Sequence, residues 1–373
     1  MRILAVTNLY PNPQQPQRAP YNRHQFRLLG ERNPLHVIAP IAWTDERSFP
    51  TPIPELRRVT LDNITVDHPR YYFPPRFGRR FYGHSYRRSI RKTFERAVAE
   101  FKPDIVFAPW AYPDGWAAVK LAHEHKLPAV IQVHGSDIKL LGDYPARRKR
   151  TIEAVTQAEG VVAVSEDLAR DLVSFGVPRE RILVNYDGVD PALFHPGNRA
   201  AAKAVLSEST KPIVLFIGNL VPVKQVHLLF EAVQGLEVKT MIVGDGPLRA
   251  SLEQDATFLG LDVRFVGSIP LEELPEYYRA ADCFVLPSRS EGVPNVLLEA
   301  SACGTPWVAS NVGGVPEIAR LGKSTLVPSG DVAALRTAIQ KTLADRTALA
   351  IPPQRSRIDA VIDLEAFLMG IAS

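Results

Sequence analysis

The feature that most constrains this chain is an alternation. From Ile213 onward, short apolar runs (Ile213–Gly218, Val238–Val243, Val263–Val266, Asp282–Leu286, Pro306–Ala309) are separated by VHLLFEAVQGL, PLRASLEQDATFLG, LEELPEYYRAA and PNVLLEASACG, whose apolar residues fall at helical spacing. Strands that read as continuous apolar runs are buried on both faces, and strands joined through helices run parallel. The fold class implied is a doubly wound α/β sheet. The first half follows the same plan. Strands are predicted at Arg2–Val6, Leu35–Ala39, Asp104–Phe107, Ala129–Val133, Gly160–Val164 and Arg181–Val184. Helices are predicted near Tyr21–Glu31, Tyr86–Phe101, Gly115–His125, Tyr144–Gln157 and Asp167–Phe175. An insertion rich in Pro, aromatic residues and Arg, about residues 41–82, interrupts the pattern.

A length of 373 residues suits two domains of this kind. The Pro-Gly punctuation in FHPGN places the boundary between 195 and 196, and Pro352-Pro353 separates a final helical stretch, 352–373, expected to return to the first domain. The prediction is therefore a first Rossmann-like domain over 1–195, a second over 196–351, and a cleft between facing domains. The hydrophobic content of 46% can fill two cores without disulfides or metal. Cys283 and Cys303 form no C-x-x-C pair and read as reduced, buried thiols, which suits the cytoplasm. The apolar run that stops at Thr7 is too short for a signal-peptide core, and no stretch approaches 18 consecutive apolar residues.

Net charge is 44 − 40 = +4, unevenly spread. Residues 1–195 carry 28 Lys+Arg against 21 Asp+Glu, and residues 196–373 carry 16 against 19, so the halves stand at +7 and −3. A basic first half implies an anionic partner there.

The segment SRSEGVPNVLLEASACGTPWVAS follows the strand DCFVLP and opens a helix at Pro294. First-turn N–H groups make an anion site, and Glu291 and Glu299 flank that turn. Carboxylates accept hydrogen bonds only, as vicinal hydroxyls require. Two glutamates at this spacing are by themselves weak evidence, and more often a surface acid and a cap-region acid. The longer pattern resembles the E-x7-E signature of glycosyltransferase family 4, which has the GT-B fold. FIGNLVPVKQVHLLFEA, VGDGPLRASLE, FVGSIPLEELPEYYRAADCFVLPS, VASNVGGVPEIA and LVPSGD follow in that family's order, as do APWAYPDGWAAVKLAHEHKLPAVIQVHGSDI, VVAVSEDLARDL and YDGVDPALFHP.

The resemblance implies a donor site on the second domain. Lys224 matches the diphosphate lysine, and Asn219 stands where the family often has Arg. Gln225 replaces a glycine. Glu299 matches the ribose-binding acid, and Glu291 the acid near the donor sugar. The amides of Gly292, Val293, Pro294, Asn295 and Val296 would surround sugar and phosphate, although Pro294 itself has no N–H. Val266 lies in the base-binding stretch Phe265–Gly267. Gly244 and Gly246 allow close backbone approach, or simply make a turn. On the first domain the resemblance places His134 at the donor sugar, which alone would read as a structural histidine. Asp137 is either an acceptor ligand or a helix cap. Ala19 stands where the family has a phosphate-loop glycine, and Pro20 follows it. Either the loop takes another path or this domain contributes less to phosphate binding, with Arg18 or Arg23 as compensating cations.

Between Arg70 and Lys92 lie eight Lys+Arg, seven Phe+Tyr and no acid. Such a mixture suits an anionic membrane surface, and equally a solvated helix face beside an aromatic-packed insertion. Nucleic acid is not expected. The implied activity is retaining transfer of a hexose or N-acetylhexosamine from a nucleotide-diphosphate sugar, UDP first and GDP next, to a glycan or lipid-phosphate acceptor. No D-x-D motif occurs, so neither metal nor cofactor is expected. The expected location is the cytoplasm, with peripheral attachment to the inner face of the plasma membrane. The alternatives are a non-catalytic nucleotide-sugar-binding protein and a nucleotide-sugar 2-epimerase of the same fold.

Overall fold

A computed structural model of the chain describes residues 1–48, 57–73, 81–139, 141, 145–206, 210–319, 324–345 and 355–373. The chain divides into two units. One joins Met1–Tyr186 to Ile358–Ser373, and the other is Asp187–Arg357.

The first unit contains β1 (Ile3–Val6), β2 (Leu35–Ile38), β3 (Ile41–Ala42), β4 (Arg58–Leu61), β5 (Ile64–Asp67), β6 (Arg70–Tyr71), β7 (Ile105–Ala108), β8 (Ala129–Val133), β9 (Gly160–Ala163) and β10 (Ile182–Val184). Eight of these form one sheet in the order β10-β9-β8-β7-β1-β2-β5-β4, parallel except for β4, and β3 pairs with β6. The period of two along a strand divides its side chains between two cores. Leu4 and Val6 of β1 face one cluster, and Ile3 and Ala5 face the other. The helix Tyr82–Phe101 presents Tyr86, Ile90, Phe94 and Ala97 to the first cluster. The second cluster takes Phe26 and Leu29 of the helix Pro20–Arg32, with Val361, Leu364 and Leu368 of the helix Arg357–Ala372. That last helix is also tied to this unit by polar bonds. Glu365 accepts from Arg32 Nε (2.6 Å) and Asn33 Nδ2 (2.7 Å), and Asn185 Nδ2 donates to the carbonyl of Ala360 (2.9 Å).

The second unit contains β11 (Ile213–Ile217), β12 (Lys239–Val243), β13 (Val263–Gly267), β14 (Cys283–Leu286), β15 (Trp307–Ser310) and β16 (Ser324–Val327). All pair in parallel, in the order β13-β12-β11-β14-β15-β16. This is the doubly wound order whose direction reverses between β11 and β14, and ligands of such sheets bind outside the strand ends at that reversal.

Two expectations change. The second unit starts at Asp187, not at 196. Val189 and Phe194 are buried in its core, with Phe194 edge-on to Tyr278, so the Pro-Gly pair punctuates a loop inside the unit. The final helix starts at Arg357, while residues 352–354 lie outside the described residues.

Candidate active site

In the second unit, four loops leave the carboxyl ends of the strands and meet through their backbones. After β11, the carbonyl of Val223 accepts from Arg289 N, in the loop after β14, at 2.8 Å. After β12, Leu220 N donates to Asp245 O (2.9 Å) and Leu248 N to Leu220 O (3.1 Å). A Cβ on Gly244 would stand 2.1 Å from Gly218 O, and one on Gly246 would stand 2.6 Å from Leu220 O. Both glycines are therefore required by loop-to-loop approach. After β15, Gly314 N donates to Gly292 O (2.9 Å), and a Cβ on Gly313 would stand 1.9 Å from Glu291 O. Gly313 and Gly314 thus set the path of the Glu291 loop. The sequence reading missed this role, although the Gly-Gly pair after a strand signalled it.

These loops bring Lys224 and Glu291 together, with Nζ 2.5 Å from Oε1. Asn219 is exposed at the start of the first loop, and Val266 is half-buried near the end of β13. Gly292 and Val293 lead to Pro294, which caps the helix Asn295–Ala302 instead of opening it. Among the described residues no side chain caps that helix, so the amides of Asn295 and Val296 retain the donor capacity of a helix start. Gln225 Oε1, Ser288 Oγ and Asn295 Oδ1 are buried on the same loops without a hydrogen-bond partner among the described residues. Each such atom costs about 1–3 kcal/mol, and their clustering points to a polar ligand. Gln225 takes the glycine-like conformation (φ 48°, ψ 42°), so the lysine loop keeps its path despite the replacement.

Glu299 is buried. Tyr278 Oη donates to its Oε2 (2.9 Å), and Arg357 Nη2 lies 3.5 Å from Oε1. Burial raises its carboxyl pKa above the ordinary value, and Arg357 and Tyr278 oppose that rise.

In the first unit, His134 follows β8. Its ring lies against Tyr21 (5.3 Å between centroids) and is stacked with Trp110 (6.3 Å), while its buried Nε2 has no hydrogen-bond partner among the described residues. A buried ring nitrogen is ordinarily hydrogen-bonded. Asp137 is different. It is buried, and its carboxylate accepts from the backbone amides of Ala111, His134 and Gly135 at 3.3, 3.1 and 3.0 Å. Those bonds make it a brace that shapes the His134 loop, and they leave the acceptor-ligand alternative without support. Ala19 sits in the left-handed region (φ 47°, ψ 63°), so the loop follows the glycine path in spite of its side chain. Neither proposed compensating cation is free. Arg18 donates to Asn8 O (2.9 Å) and Gln15 Oε1 (2.9 Å), and Arg23 clasps Asp62 at 2.8 and 3.0 Å.

The aromatic half of the basic stretch is mostly core. Tyr71 and Tyr86 are buried, Phe73 and Tyr82 pack against them, and Tyr72 and Phe81 are about half exposed. Arg87 and Arg91 pair with Glu124, and Arg70 with Glu46. Arg88 and Lys92 are exposed with no ion pair among the described residues. Residues 74–80, including Arg76, Arg79 and Arg80, lie outside them.

The lysine–glutamate pair stands at the reversal point of a doubly wound sheet, where sheets of this order bind their ligands. The family is set by comparison. The model for glycosyl transferases group 1 matches residues 198–359, and that for glycosyltransferase family 4 matches residues 24–193. TuaC of Bacillus subtilis (strain 168), provisionally named a teichuronic acid biosynthesis glycosyltransferase, is 28% identical over 91% of this chain and 89% of its own. A D-inositol 3-phosphate glycosyltransferase of Geodermatophilus obscurus is 36% identical over 66% of this chain and 59% of its own. Among solved structures, sucrose-phosphate synthase from Thermosynechococcus elongatus superposes with a TM-score of 0.75 at 22% identity, covering 100% of this chain and 96% of that one. Anabaena HepE in complex with UDP-glucose gives 0.71 at 18%, covering 100% and 98%. The chain belongs to the group 1, family 4 glycosyltransferases, enzymes of the GT-B fold.

Proposed function

We propose that this transferase moves a hexose or N-acetylhexosamine, with retention of anomeric configuration, from a nucleotide-diphosphate sugar to a glycan or lipid-linked acceptor of the cell surface. The observation that carries the reading is the Lys224–Glu291 pair at the sheet reversal, beside a helix start with no side-chain cap and three buried polar atoms without partners among the described residues. Lys224 and the amides of Asn295 and Val296 would receive the leaving diphosphate. Donors of this kind are worth roughly 3–4 kcal/mol each in a transition state. Glu299 would hold the ribose diol. Glu291 would orient the sugar as positive charge develops at its anomeric carbon, and the family resemblance implies a donor-sugar role for His134. The acceptor oxygen bonds to that carbon on the face the diphosphate leaves, and its proton passes to a phosphate oxygen, so no protein base and no metal is invoked. UDP is the favoured nucleotide and GDP the second, a preference supported by the UDP and UDP-glucose bound to HepE. The name of TuaC supports a cell-surface polymer as acceptor. The exposed Arg88, Lys92, Tyr72 and Phe81 support peripheral seating on an anionic membrane.

The test is a thermal-shift screen with UDP-, GDP- and ADP-sugars, followed by transfer assays on the donor that stabilises most. Glu291→Gln is expected to abolish nearly all transfer while nucleotide affinity stays within a few-fold. Wild-type turnover by that variant would refute the assignment of Glu291. Nucleotide-sugar binding with no transfer to any acceptor tried would favour a binding protein over an enzyme.

A further inference from the structure

Glu299 must do something that its surroundings oppose. A carboxyl is acceptor-only, and makes the stronger charge-assisted bonds to two hydroxyls, when it is ionised, and a side chain buried this deeply is driven toward its neutral form. Two groups act on it. Tyr278, on the helix Leu274–Ala280, donates to Oε2 at 2.9 Å. The Arg357 guanidinium stands 3.5 Å from Oε1 and is the cation paired with Glu299 among the described residues. That distance is at the outer limit of a hydrogen bond. The arginine therefore supplies charge without consuming the oxygen, and lone pairs remain for a ligand.

Arg357 is held in place by backbone. It is the last residue of the second unit and the first of the final helix. The extended residues before that helix bridge to the segment by which the chain enters the unit, Ser356 pairing with Val189. Val189 N donates to Arg355 O (3.0 Å), Arg357 N to Val189 O (3.0 Å), and Arg357 Nε to Gly188 O (3.3 Å). The approach requires a glycine, because a Cβ at 188 would stand 2.2 Å from Ser356 C. A long, flexible side chain is thereby anchored at its root and at its Nε.

We propose that Arg357 is a positioning residue for donor recognition, holding Glu299 ionised and aimed at the vicinal hydroxyls of a nucleotide ribose without itself touching the nucleotide. The proposal rests on the donor reading of the second unit.

The test is calorimetric titration of UDP, GDP and ADP, and of their 2′,3′-dideoxy counterparts, into the full chain as wild type, Arg357→Gln, Arg357→Lys and Glu299→Gln. For a nucleotide that binds, the wild type should prefer the ribose form by about tenfold or more, as loss of charged hydrogen bonds implies. Arg357→Gln should bring that ratio close to one and leave dideoxy affinity nearly unchanged. Arg357→Lys should restore part of the ratio, and Glu299→Gln combined with Arg357→Gln should lose nothing more. Equal weakening of both forms would show a merely structural role and overturn the proposal, as would an unchanged ratio. If Arg357→Gln does not fold, Arg357→Met carries the same ratio. A wild type that binds nucleotide without preferring ribose overturns the role of Arg357 and leaves the donor reading standing. A wild type that binds none of the three nucleotides overturns both.

Discussion

Ala19 and Gln225 hold left-handed backbone without being glycine. A side chain in that region costs about 1–2 kcal/mol, part of which a glycine would return through its greater freedom in the unfolded chain. Ala19→Gly and Gln225→Gly should each raise stability by roughly 0.5–1 kcal/mol, read as an upward shift of the thermal midpoint. A lowered midpoint would mean that the side chains contribute packing that outweighs the strain. Both loops resembled glycine loops in sequence and departed from them at the one residue that mattered. The structure answers the doubt, because backbone path is set by the loops on either side as well as by local preference. Asp137 shows the opposite limit. Its residue type suited either a ligand or a cap, and the structure shows a carboxylate inside the helix Ser136–Lys139 that accepts from the amides of Ala111, His134 and Gly135. Asp114 was not read from the sequence at all. It is buried with Tyr86 Oη and the amide of Asn8 as donors, and burial pushes its carboxyl up to about 7. A folded-state value above the unfolded one contributes stability at low pH that is lost as pH rises through 7. Asp114→Asn should therefore cost less at pH 8 than at pH 5 in urea titrations, and a pH-independent cost would contradict this.

At the scale of elements, the buried strands were legible because two-sided burial leaves a continuous apolar signature, as in ILAV, IVFA and GVVA. β16 escaped because an edge strand, STLV, is only half-buried and carries no such run. The β4–β5 hairpin escaped inside the insertion, although Asp62-Asn63 with φ of 52° and 61° is the turn that two-residue hairpins favour. Asp67, at the end of β5, joins four elements. Its carboxylate meets His36 of β2 (2.9 Å), Arg58 of β4 (2.9 Å) and Arg96 of the helix Tyr82–Phe101 (3.0 Å). Although burial alone would raise it, these partners hold its carboxyl well below the usual carboxylate range. The stability it contributes is complete above about pH 4 and is lost as pH falls below that. Asp67→Ala should cost about 3 kcal/mol at pH 7 and much less in strong acid, as measured by urea denaturation. A loss that does not shrink in acid would assign the effect to packing. The same helix carries Arg88 and Lys92 outward. Reversing both to Glu should weaken sedimentation with anionic liposomes several-fold and spare binding of soluble nucleotide. Liposome binding that is unaffected, or absent in the wild type, would remove the membrane from the account.

At the scale of the molecule, the first unit is made of two stretches of chain separated by the whole of the second. Its second core is closed by Val361, Leu364 and Leu368, all nearly inaccessible. Leu364→Ala should cost about 3 kcal/mol, within the range for a buried leucine. Its effect should appear in the calorimetric transition of the first unit and leave the second unit's untouched. The two-unit plan was readable from chain length and repeated alternation, but the point of entry was not. Phe194 looked like part of a linker until its ring was seen against Tyr278. The order of synthesis follows from this arrangement. A ribosome makes the sheet of the first unit early, yet the residues that close that core emerge only after all of Asp187–Arg357 has been made. The nascent sheet must wait with part of one face uncovered, so the second unit has the opportunity to fold first, and chaperones would find their client surface on β1 and its neighbours.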